Sequence, residues 1–243
     1  MDKIIKIALS LFIIILVTFI AVAGYSAYAG NAYRDSLAAT YSYSCTIATD
    51  SPLSNVTLFI PVPGDRNGNS PVISQFSAHE ITGVPDAWTT TLYDTGKSTM
   101  VKITIPSLIP PAGTRHEHPY AITLSTNLSS KKLIDTRNPV ENSPLFRPVA
   151  DLTPAECRDV SSPAGHPQCY SYTTSAYADY RSDPGAAVSI TSTLRGTNTW
   201  NLLGPQQNAY TTDISLLLSG ENHGWATAKG YIEKGIGSDD PVL

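Results

Sequence analysis

The sequence predicts an all-β fold, an antiparallel β-sandwich of about ten strands preceded by one N-terminal transmembrane helix. Three observations carry this. A single long apolar run opens the 243-residue chain. Period-2 alternation of apolar with Ser/Thr-rich positions recurs through most of the remainder. Beyond the first run, no stretch holds a helical period, and Gly, Pro, Asn and Asp punctuate the alternating segments.

The first element is the apolar run. Ile7–Ala23 is almost wholly hydrophobic, and no residue from Ile7 to Tyr33 is charged. About 20 apolar residues at ~1.5 Å rise each span the ~30 Å hydrocarbon core of a bilayer. Lys3 and Lys6 precede the run, whereas Arg34 and Asp35 behind it cancel. The positive-inside rule therefore keeps the N-terminus cytoplasmic and places the following domain outside. Residues 1–29 are either a membrane anchor or a signal peptide. Ala27-Tyr28-Ala29 ahead of Gly30 fits a small-x-small processing site, which would secrete the protein by cleavage after Ala29. The run exceeds the ~7–15 residues of a signal h-region. Tyr25, Tyr28 and Tyr33 cluster where an outer aromatic belt belongs. A retained anchor, with the bilayer as partner of residues 7–29, is the expectation.

Residues 30–243 form the expected extracytoplasmic β-sandwich domain. Alternation marks 37–62 and 72–134 as strands: Tyr43, Cys45 and Ile47 on one face, then Val56, Leu58 and Ile60, then Trp88 and Leu92. Val101, Ile103 and Ile105 follow, then Tyr120, Ile122 and Leu124. Residues 135–169 hold six prolines without alternation and are expected to be a long loop, with at most one helical turn over 151–156. Strands resume at Tyr170, Val188 and Tyr210 and end over Trp225–Ile232. One domain rather than two is expected, since neither half alone has many large apolar residues.

Composition narrows the function. With net charge −4 and pI near 5.7, the chain does not suit nucleic acid. Charged residues make up 15%, against about 25% in an average soluble domain. The wet faces are Ser and Thr instead. In an oxidising compartment Cys157 and Cys169 are expected to form a disulfide across the Pro-rich segment, leaving Cys45 as a buried free thiol. Asn55-Val56-Thr57 and Asn127-Leu128-Ser129 are N-glycosylation acceptors, at Asn55 and Asn127, if the host glycosylates.

Motifs of chemistry are few. Gly96-Lys97-Ser98-Thr99 ends like a phosphate-binding loop but lacks its first glycine, Thr91 standing there. Asp94-Thr95-Gly96 resembles half of an aspartic-protease pair with no second copy, and reads better as a hairpin turn. Asp65–Asn69 has the alternate oxygens of a calcium loop, but Ser70 and Phe76 replace its glycine and its glutamate, so a polar turn is expected. Ser129 and Lys132 match a Ser-x-x-Lys spacing by chance. His116 and His118 are the metal candidates, because residues two apart on an extended segment project to one side. Further ligands would come from His79, His166 or His223. No cofactor is expected. Aromatic rings could line a sugar-binding face, but Tyr41, Tyr43, Tyr170, Tyr172 and Tyr180 follow core periodicity.

The basic N-terminus, the Ile-rich span, Tyr41-x-Tyr43 and Asn-Val-Thr-Leu-Phe-Ile-Pro-Val-Pro at 55–63 resemble single-pass cell-surface proteins of methanogenic archaea. The resemblance covers mainly the first hundred residues; it implies a cell-envelope location and no activity. The expected function is a membrane-tethered extracytoplasmic structural or interaction module without catalytic activity, its partner an envelope protein or glycan. The alternatives are a carbohydrate- or metal-binding surface module and an envelope hydrolase whose site is assembled from distant residues.

Overall fold

A computed structural model describes residues 3–96, 98–158, 165–201 and 204–238. One helix, α1 (Lys3–Ser36), leads into an antiparallel β domain. Its strands are β1 (Ala38–Thr49), β2 (Leu53–Pro61), the two-residue β3 (Pro63–Gly64), β4 (Thr89–Asp94), β5 (Thr99–Leu108) and β6 (Tyr120–Ser130), with a short helix α2 (Ile73–Ser77) between β3 and β4. After a one-turn helix α3 (Pro139–Asn142) come β7 (Leu145–Phe146), β8 (Ala150–Ala155), β9 (Gly165–Arg181), β10 (Ala187–Asn201), β11 (Pro205–Ser219) and β12 (Asn222–Gly237).

Helix α1 is long and apolar enough to cross a membrane, and none of its residues is buried by the rest of the chain. Its last turn meets the β domain. The Tyr33 and Trp200 rings stand edge to face at 6.2 Å, and the Asn201 N–H donates to Ser36 Oγ at 2.8 Å.

Ten strands make one sheet in the order β4-β5-β2-β9-β12-β11-β10-β1-β6, with β8 added beside β9. The sheet curls so that one face is interior. Alternation dictates which: Tyr43, Cys45 and Ile47 of β1 point inward with Leu58 and Ile60 of β2, Ile190 and Leu194 of β10, and Tyr210 and Ile214 of β11. These side chains belong to one hydrophobic cluster that runs from Ala39 to Ile232. Burying a side chain of this size contributes roughly 1.5–3 kcal/mol. Cys45 is indeed a buried free thiol, and burial pushes its pKa up to about 11.

Residues 72–134 are not strand throughout. Pro71 and the Ser70 Oγ, which accepts from the Val72 N–H, start α2, and α2 buries Phe76 against Tyr43 with ring centroids 6.0 Å apart. The chain then runs beside the β6 edge, where Thr82 and Ser125 exchange two backbone hydrogen bonds at 2.9 Å. It continues into β4, the opposite edge of the sheet. One covalent segment thus covers the β6 edge, which left bare would invite pairing with another chain.

The described residues of the Pro-rich stretch, 135–158 and 165–169, hold a helical turn and strands instead of the long loop expected. Asp135 organises its start by accepting from the backbone N–H groups of Arg137 and Asn138 and the side chain of Asn142. Prolines at N1 of α3 and in the edge strand β8 occupy positions where no backbone N–H is required. Ile134, Leu145 and Phe146 insert into the core. The Tyr210 hydroxyl donates to the Pro144 carbonyl, and Arg147 donates to those of Gly64 and Val140. Residues 151–155, where at most one helical turn was expected, lie in β8, which pairs with β9, Thr153 and Ser171 joining hydroxyls at 3.0 Å.

The Cys157–Cys169 disulfide is present, with Cα atoms 5.3 Å apart. It ties the exit of β8 to β9. Arg158 next to it reaches Asp213 at 3.1 and 3.2 Å and lies 3.9 Å over the Tyr231 ring. Burial pushes the Asp213 carboxyl up against the pull of that guanidinium. Replacing both cysteines by serine should cost about 2–3 kcal/mol, since closing so short a loop is worth about 3 kcal/mol in the chain-entropy model. The expected fall in Tm is about 4–12 °C, read by circular dichroism without reductant. An unchanged Tm would show that the β8–β9 pairing and Arg158 hold the segment without the disulfide.

Candidate functional site

The outer face of the sheet is a lawn of hydroxyl groups. Thr191, Thr193, Thr197 and Thr199 of β10 lie there beside Ser42, Ser44 and Thr46 of β1, as period-2 alternation requires. Leu217 of β11 interrupts this surface as a single exposed side chain, and a larger feature breaks it. Tyr93 of β4, Phe59 of β2, Tyr177 of β9 and Trp225 of β12 form a continuous aromatic strip across the strands. Successive ring centroids are 5.3, 5.4 and 5.5 Å apart and interplanar angles are 71°, 82° and 73°. Edge-to-face contacts of this kind are each worth ~0.5–1.5 kcal/mol beyond area burial.

Register builds the strip. Phe59 lies opposite both Lys102 of β5 and Tyr177, and Tyr177 lies opposite Trp225. Lys102 Nζ sits 5.8 Å from the Phe59 ring centre and covers it as a cation. Phe59 and Tyr177 are half-buried by their neighbours, whereas the terminal rings stand free: Tyr93 is 53% exposed and Trp225 60%.

A polar bank lies along one side. Two residues on from Tyr177 and two before Trp225, Asp179 and His223 oppose each other, with Asp179 Oδ1 2.7 Å from His223 Nδ1. Glu221 Oε2 is 3.8 Å from His223 Nε2. The Tyr177 hydroxyl donates to Asp179 Oδ2 at 3.4 Å. Ser175 and Thr227 stand on the other side, so the strip is one side chain wide.

His116 is placed differently from its expectation. The His118 N–H donates to the Arg115 carbonyl at 2.9 Å, so 115–118 is a tight turn and not an extended segment. His116 Nδ1 instead meets Asp50 Oδ2 at 3.0 Å, while His118 is exposed. The Ala187 N–H and the His116 ring together hold the Asp50 carboxyl below the usual carboxylate range. This pair borders a cleft of about 460 Å³ floored by Ala48, Pro119, Val188 and Leu218. Among the described residues no hydroxyl or thiol is bonded to His116, and no three metal-ligating side chains converge. His79 is exposed, and the His166 side chain lies outside the described residues.

The remaining sequence candidates are local. Asn55 and Asn127 are both exposed, Asn55 at a bulge of β2 with φ 53° and Asn127 on the edge strand β6. Asp65 accepts from the N–H groups of Asn67 and Asn69 and closes a polar turn. Asp94 accepts from the Gly96 N–H in the β4–β5 hairpin, where Lys97 lies outside the described residues. Ser129 alternates outward on β6, and Lys132 follows it in a surface turn.

Sequence reasoning assigned the tyrosines to the core and overlooked the strip. Tyr43, Tyr172 and Tyr180 are buried as expected. The signal for the others was parity: Val56, Leu58 and Ile60 point inward, so Phe59 must point out. Comparison with protein-family models, with curated proteins and with solved structures gives no match to this chain.

Proposed function

We propose that the protein is a membrane-tethered, non-catalytic interaction module that holds its β domain outside the cytoplasm and engages an envelope partner through the aromatic strip. The observation that carries this reading is the strip itself, four contacting rings in a row on an outer face rich in Ser and Thr. Retention of α1 as an anchor is supported by its course. The helix runs without a break past Ala29 to Ser36, and its last turn packs on Trp200 and Asn201. Cleavage after Ala29 would leave that contact on a fragment too short to be helical by itself. Lys3 and Lys6 orient the helix with the domain outward, where the Cys157–Cys169 disulfide is chemically at home.

Full-length protein in nanodiscs should be retained by envelopes from the producing organism, and Phe59→Ala/Trp225→Ala should lose most of that retention. The pair removes all three ring–ring contacts of the strip, so Tm should fall by several degrees while the inward-facing core keeps the domain folded. Equal retention of the variant and the unaltered chain would overturn the assignment of the strip. Protease added to intact cells should cleave the β domain; full protection would overturn its location.

A further inference from the structure

The occupant of the strip is a matter of its shape, its flanks and its height above the membrane. We infer that it binds an extended carbohydrate chain laid across β4, β2, β9 and β12, an inference that rests on the strip being the interaction surface. Three features point to sugar. First, the four rings touch edge to face in a row, which makes the strip long and narrow, and the two terminal rings are the most exposed. The negative face of an aromatic ring attracts the polarised C–H face of a pyranose. Trp225 and Tyr93 thus offer two stacking platforms, with Phe59 and Tyr177 as the floor between them. A chain spanning both platforms fits this layout; a single sugar does not use it.

Second, the flanks supply what sugar hydroxyls need. Asp179, Glu221 and His223 line one side with planar acceptors and a ring nitrogen. Lys102 contributes a donor in the middle. The strip is one residue wide between polar borders, whereas a stable protein–protein interface buries about 800 Å² per partner around a broad apolar centre.

Third, the bilayer that holds α1 is too far away to be the occupant. β12 pairs with β11 through Gly237 and Asn208, and Asn208 pairs with Asn198 of β10, three residues from the contact of Asn201 with α1. Trp225 lies twelve residues back along β12 from Gly237, which is about 40 Å of strand at ~3.3 Å per residue. The strip and the α1 contact therefore stand at opposite ends of the β domain, with the rings facing outward into the envelope.

The test uses full-length protein in nanodiscs and envelope preparations as the probe, split three ways: untreated, oxidised with periodate to destroy sugar diols, or digested with protease. Retention should fall by about tenfold or more after periodate and survive protease, and Phe59→Ala/Trp225→Ala should reproduce the periodate result on untreated envelopes. Retention that resists periodate but not protease overturns the glycan and leaves the interaction surface standing, with a protein partner. Absence of retention on all three overturns both. A spectroscopic reading guards against misfolded variants. Trp88 and Trp200 are buried, so quenching of tryptophan emission by glycan fragments released from the envelope reports Trp225 directly. Fragments that leave the emission of the unaltered protein unchanged would count against stacking.

Discussion

Asn198→Leu is expected to destabilise the β domain by about 4 kcal/mol and to lower Tm by about 8–16 °C. Asn198 is 2% exposed. Its Oδ1 accepts from the Ile134 N–H at 3.0 Å, and its Nδ2 donates to the Ile134 carbonyl at 2.8 Å and to Asn208 Oδ1 at 2.9 Å. Leucine keeps the heavy-atom branching of asparagine but is bulkier, so the substitution removes the hydrogen bonds and adds some overpacking. It strips partners from three buried polar groups at once, and each such loss costs about 1–3 kcal/mol. The consequence is local first. Ile134 enters the segment that carries α3 and β7 over the core, and the amide of Asn198 fastens that entry. Thermal unfolding by circular dichroism gives the total; hydrogen exchange at Ile134 should rise before global unfolding. Thr197→Ala, one residue away on the outer face, should stay within about 0.5 kcal/mol. Equal effects of the two substitutions would show that the Asn198 network contributes nothing.

Gly230→Val should be comparably damaging, again about 4 kcal/mol, for a steric reason. Gly230 of β12 lies opposite Tyr172 of β9, and the Tyr172 ring covers it so closely that any Cβ would overlap Cζ, Cε1 and Cε2. The ring is held there by its hydroxyl, 3.1 Å from Thr212 Oγ1 on β11. Burial pushes the pKa of that hydroxyl up, so it stays protonated and able to donate. A valine must expel the ring and with it the hydrogen bond across three strands. The same valine in a Tyr172→Ala background should cost far less, since the space is then vacant. Additive costs in the double-mutant cycle would refute the account.

Much of the sheet was legible because alternation in water has one solution: with one face wet, parity assigns every side chain to a side. Val101, Ile103 and Ile105 declare their strand in this way, and the buried Cys45 follows from Tyr43 and Ile47. The long apolar run announces α1 equally directly. What alternation lacks is a statement of which strands are neighbours. Phe59 and Tyr177 are separated by more than a hundred residues, and only the β2–β9 pairing puts their rings in contact. The strip was therefore hidden in the register and not in any motif. Residues 135–158 were misread for a different reason. Their order comes from side chain to backbone bonds, Asp135 to Asn138 and Tyr210 to Pro144, and such bonds leave no periodic trace. His116 was misread because a turn at Arg115–His118 sends it to Asp50, a residue far away in sequence.

The order of strands in the sheet also governs how the chain is delivered. β1 is flanked by β6 and β10, and β2 by β5 and β9. The first two strands to follow α1 thus obtain their second neighbours only when the C-terminal third has arrived. A chain made from its N-terminus must keep those strands, with Tyr43, Ile47 and Leu58, unpaired on one side until β9 and β10 have been added. Such late pairing is slow, because long loops must close before the contacts that stabilise them exist. The dense cover of serine and threonine acquires a second use in that interval. It keeps half of every waiting strand compatible with water until the last hairpin, β11–β12, completes the sheet.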